Sequence, residues 1–157
     1  MLVVVAAGCG STAAFHPAPS QVRELHWHER PCAGVRVDVE RLIVGRVGWR
    51  IEATVANLAG PPLTIERPHH PGSTYFGIVH ASTHPTAAEL HASLRAQRFA
   101  PRLPRELERG ARWRGFFSAP GRLPRGVELR VVSGRFRRVD ADAAAGFLCL
   151  SEHGVTL

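Results

Sequence analysis

The feature that most constrains this chain is a hydrophobic period of two that begins after Cys32. Val35, Val37 and Val39 alternate with Arg36, Asp38 and Glu40; further on, Trp49, Ile51, Ala53 and Val55 alternate with Arg50, Glu52 and Thr54. Successive side chains of a strand point to opposite faces, so each run buries one face and wets the other. Leu63 to Glu66 predicts a short third strand, and Tyr75 to His80, more continuously apolar, a central one. Arg112 to Ser118, Val127 to about Phe136 and Gly146 to Leu150 continue the series. Phe99, Leu103 and Leu107 punctuate a Pro-rich stretch, which restricts it to edge-like or irregular backbone. Twelve Pro and fifteen Gly supply the turns between these pieces. One segment departs from the pattern: Ala87, Leu90 and Leu94, with Pro85 and Glu89 near the start, predict a short helix over Thr86 to Arg98, acting as a crossover between sheets. The expected fold is therefore all-β, an antiparallel β-sandwich of about seven strands with one short helical insert.

At 157 residues the chain accommodates one domain with a real core. The successions Trp49 to Asn57, Pro62 to Ile65, Thr74 to Gly77, Trp113 to Phe117 and Val131 to Phe136 resemble the Ig-like sandwich domains of bacterial extracytoplasmic lipoproteins. The resemblance spans Val35 to Phe136. It implies an export-associated accessory or binding domain, and it brings no catalytic residues with it.

The start of the chain carries a second resemblance. Met1 to Ala7 is apolar, and Cys9 directly follows Ala6-Ala7-Gly8. This resembles the lipobox of bacterial lipoproteins, although no Lys or Arg precedes the run and Ala6 stands where that family more often has Leu. The resemblance implies lipidation at Cys9, extracytoplasmic location and a membrane anchor. Residues 1–8 are then signal-like, 9–30 hold the lipidated Cys and a tether, and 31–157 form the sandwich. Gly8 to Ala13 also fits a G-x-G-x-x-A dinucleotide turn, but His16-Pro17-Ala18-Pro19 stops the helix that turn requires.

With Cys9 assigned to lipid, Cys32 and Cys149 remain as a pair bracketing the sandwich. In an oxidising compartment they are candidates for a disulfide; the other reading is two buried free thiols. The net charge of +7 suggests an anionic partner. All 20 basic residues are Arg, however, which a GC-rich genome favours without any partner, and the Arg near Trp113, Phe116 and Phe136 alternate with them along strands. Nucleic acid is accordingly an unfavoured partner.

Nine His residues raise the question of a metal. His26 and His28 would share a strand face, His69 and His70 sit in a loop, and His80 and His84 flank another; His26, His28, His69 and His70 are the candidate ligands. No H-E-x-x-H, C-x-x-C or G-x-S-x-G pattern occurs, so no cofactor and no enzyme activity is expected. The sequence thus points to a membrane-tethered binding or structural domain, with a protein or cell-envelope partner met by the loops Arg67 to Thr74 and Pro120 to Gly126. A His-based metal-binding protein is the alternative, and a hydrolase whose site forms only in three dimensions is the second.

Overall fold

A computed structural model describes residues 20–66, 76–80, 94–139 and 146–157. They form two antiparallel sheets packed face to face. The first sheet has the order β1-β2-β3-β9-β7. Its strands are β1 (Gln21–His28), β2 (Val35–Val44), β3 (Gly48–Asn57), β9 (Arg112–Pro120) and β7 (Arg98–Ala100). The second is built on β10 (Glu128–Arg138), which carries β5 (Gly77–His80) and β4 (Leu63–Ile65) in series along one side. Along the other side lie β12 (Val155–Thr156) and β11 (Phe147–Leu150). The short strands β6 (Leu94–Arg95) and β8 (Glu106–Leu107) pair with β5 and β4.

The period-two runs become the long strands of the first sheet. Val35, Val37, Val39, Trp49, Ile51, Ala53 and Val55 all point into the sandwich and are buried. Strict alternation would also turn Arg41 inward. A bulge between Val39 and Arg41 prevents this: Val39 pairs with Ala53 and Arg41 with Glu52, so the extra residue restores Leu42 to the core and keeps Arg41 on the wet face. Phe76, which leads into β5, packs between Phe117 of the first sheet and Phe136 of the second. The ring centroids of Phe76 lie 5.6 Å from Phe117 and 5.9 Å from Phe136, in edge-to-face geometry. All three are essentially inaccessible to water, each burying on the order of 2–3 kcal/mol of apolar side chain.

The two open edges of the sandwich are closed differently. On one, the chain itself crosses between sheets within 94–100: the Ala96 amide donates to the Phe76 carbonyl and the Gln97 amide to the Ser118 carbonyl. This is the described part of the expected helix over Thr86 to Arg98. Here the expectation is corrected: Leu94–Arg95 and Arg98–Ala100 are strand, and no helix occurs among the described residues. Phe99 is needed against Phe76, and an extended crossover delivers it to the core four residues after β6. Residues 86–93 lie outside the described set. On the opposite edge, Cys32 and Cys149 form a disulfide with Cα atoms 5.7 Å apart, joining the β1–β2 connection to β11.

Two further strands extend the expected set. β1 occupies 21–28, inside the span 9–30 read as tether, and β12 adds a short piece after β11. Among the described residues there are twelve strands against the about seven expected, because the Pro-rich and loop-rich stretches contribute two- and three-residue strands. The edge character expected for Phe99 to Leu107 is observed: β7 and β8 are the outermost strands on their sides of the two sheets.

At one end of the sandwich, Arg138 closes the loops. Its guanidinium donates to Asn57 Oδ1 at 3.0 Å, to the Pro61 carbonyl at 2.9 Å and to the Ala33 carbonyl at 2.5 Å. Asn57, fully buried, donates in turn to the Leu107 carbonyl at 3.0 Å. Gly34 is required beside it. Its φ is +79°, and a Cβ there would lie 2.6 Å from Arg138 Nη2.

Candidate functional site

The other end of the sandwich gathers the turn between β2 and β3, the turn after β9 and the residue that leads into β1. The Gly121 amide donates to the Val47 carbonyl at 2.9 Å, and the Gly126 amide to the Leu157 carbonyl at 3.2 Å. These bonds hold the loop Pro120 to Gly126, one of the two expected contact loops, against its neighbours. Arg46, Arg122 and Arg125 line an open cleft of about 900 Å³ there, with Ser20 on its rim. A second cleft of about 710 Å³ continues past Ser20 to Val22, Val47 and Arg98. Arg46, Arg98, Arg122 and Arg125 are exposed, and so is Val47, at 83%. Among the described residues, no Asp or Glu side chain lines either cleft. The nearest carboxylate along the chain, Glu128, is taken up by Arg130 at 3.2 Å. Arginine stems cover apolar surface while their heads stay wet, so this end presents cationic heads around apolar Val22 and Val47. The other expected contact loop, Arg67 to Thr74, lies outside the described residues.

A second constellation clasps the edge beside the disulfide. Glu29 is buried and accepts the Glu152 amide at 2.8 Å and the His153 amide at 3.4 Å. Its carboxylate also meets His153 Nδ1 at 3.1 Å, and the His153 ring stacks on Trp27 with centroids 5.8 Å apart. Neither Glu29 nor His153 was singled out by the sequence reading. The available signal was phase: Leu25, Trp27 and Glu29 occupy the inward positions of one alternation, and a carboxylate at an inward position needs partners. The nearby hydroxyls serve the backbone. Ser151 Oγ donates to the His153 carbonyl at 2.7 Å and accepts the Val131 amide at 2.9 Å, while Ser133 Oγ donates to the Cys149 carbonyl at 3.4 Å. The cavity enclosed by Glu29, Cys32, Ser133 and Ser151 is about 10 Å³, the size of one water.

His26 and His28 do share the outer face of β1, and each faces carboxylates. His26 Nδ1 lies 3.4 Å from Glu40 and its Nε2 3.6 Å from Glu24; His28 Nδ1 lies 3.5 Å from Asp38. Arg41 continues this ladder to Glu52 at 3.2 Å. The imidazoles are exposed while Asp38, Glu40 and Glu52 are at least half-buried, and each pair is worth at most about 1 kcal/mol. His80 is exposed at the end of β5, while Cys9, His69, His70 and His84 lie outside the described residues. Among the described residues no three His, Cys, Asp or Glu side chains converge as metal ligands. Comparison with family models, with curated proteins and with solved structures found no match.

Proposed function

We propose that the chain is an extracytoplasmic sandwich domain tethered to a membrane through lipidated Cys9, and that it works by surface contact, not by catalysis. The observation that carries this reading is the Cys32–Cys149 disulfide. A cross-link that closes a sandwich edge persists where thiols are oxidised, and it leaves Cys9 as the one cysteine outside the pair. Cys9 also follows Ala6-Ala7-Gly8, the small-residue context of the lipobox. The loop Pro120 to Gly126 belongs to the contact surface, because hydrogen bonds fix it beside the exit of the tether.

Mass spectrometry of the chain extracted from bacterial membranes tests the reading. A lipid-modified N-terminal peptide beginning at Cys9 is expected, and Cys9→Ala should be released from membranes by a high-salt wash that leaves the wild type bound. An unmodified Cys9 in mature protein overturns it.

A further inference from the structure

We infer that the arginine-bearing end of the sandwich is a seat for an anionic lipid surface. This rests on the reading of Cys9 as a membrane anchor, and identifies what the end beside the tether touches. Ser20, where the described domain begins, lies on the rim of both clefts. It lies eleven positions after Cys9, a stretch that at full extension spans at most about 40 Å. The tether joins the domain at this end, and the Arg138 end lies a strand length away, about 33 Å for the ten residues of β2.

The chemistry of the near end suits lipid headgroups. Arg46, Arg122 and Arg125 surround one cleft and Arg98 borders the next, with no acidic side chain of the described residues among them. Guanidinium forks bind phosphate in bidentate fashion, and basic residues beside an anionic leaflet add attraction that decays within a Debye length of about 10 Å. Val47 projects from the same turn as Arg46 and is the most exposed large apolar side chain of the described residues. Val22, 48% exposed, lies in the adjoining cleft. Cationic heads ringing apolar side chains match the interfacial zone, where headgroup phosphate lies above acyl carbon. The charged face of the first sheet lacks this character, since its Arg41 and His26 already face Glu24, Glu40 and Glu52.

The test uses the full chain carrying Cys9→Ala, with its disulfide formed, so that binding does not depend on acylation. Sedimentation with phosphatidylglycerol–phosphatidylcholine vesicles is compared with pure phosphatidylcholine vesicles and with a single-stranded oligonucleotide. Retention on the anionic vesicles, weakened at least about tenfold by the triple change Arg46→Ala, Arg122→Ala, Arg125→Ala and lost at high salt, is the expected result. The triple variant should keep its melting temperature, which separates loss of the seat from loss of the fold. Equal binding to neutral and anionic vesicles, no binding to either, an unaffected triple variant, or tighter binding to the oligonucleotide each overturns the inference. An unmodified Cys9 in the mature wild type refutes the tether and leaves this vesicle measurement to stand or fall separately.

Discussion

Replacing Cys32 and Cys149 together by Ala tests the tie between the two sheets. The bond closes a loop with a sequence separation of 117 residues. In the chain-entropy model, removing it returns about 16 cal/mol/K to the unfolded chain, or about 5 kcal/mol at 25 °C. A chain of this length unfolds with an entropy of about 0.3 kcal/mol/K, so the melting temperature should fall by about 15 °C. Ala is the better replacement because Cys149 is buried, and Ser would leave a hydroxyl in need of a partner. The Glu29 clasp stays on the same edge, so the folded variant keeps β11 against the β1–β2 connection and the loss falls mainly on the unfolded side. Thermal unfolding by circular dichroism, run on oxidised wild type, reduced wild type and the double variant, reads the effect. The reduced protein and the variant should melt together, well below the oxidised protein. A variant within about 3 °C of oxidised wild type would show that the cross-link contributes little and would refute the entropic account.

Arg138→Met keeps the aliphatic stem but strands the Asn57, Pro61 and Ala33 acceptors, and urea unfolding should show a loss of about 2–4 kcal/mol. In that background Gly34→Ala should cost less than in wild type, because the guanidinium that its Cβ would meet is gone; equal costs would mean that the +79° backbone alone excludes a side chain. Glu29→Ala removes the acceptor of the Glu152 and His153 amides and should cost about 2 kcal/mol, with hydrogen exchange quickening at those two amides while β3 stays protected.

The long strands were legible because their signal is local. Val35 to Glu40 and Trp49 to Val55 declare a wet and a dry face by alternation alone, and the burial of every inward member follows. The crossover was not legible. Ala87, Leu90 and Leu94 carry helical spacing, yet in the described part of that span Leu94–Arg95 pairs with β5 and Phe99 packs on Phe76, so tertiary packing decided those residues against the local signal. β1 was hidden for another reason: its outer residues Glu24, His26 and His28 are polar, its N-terminal half is exposed, and a bulge between Glu24 and Trp27 breaks its register. The clustering of Arg46, Arg98, Arg122 and Arg125 was equally invisible, since these residues are up to 79 positions apart and meet only where three connections converge.

By itself, then, the sequence determined the all-β class, the inward faces of β2 and β3 and the two cysteines able to pair. Alternation and cysteine count are properties of neighbours along the chain or of composition. Only the tertiary structure decided which edge the disulfide closes, that Glu29 and His153 clasp it, and that four arginines share one end beside the start of β1. Those outcomes depend on the order of strands in the sheets, and that order follows from which hydrophobic faces can be buried together, a choice no short stretch of sequence contains.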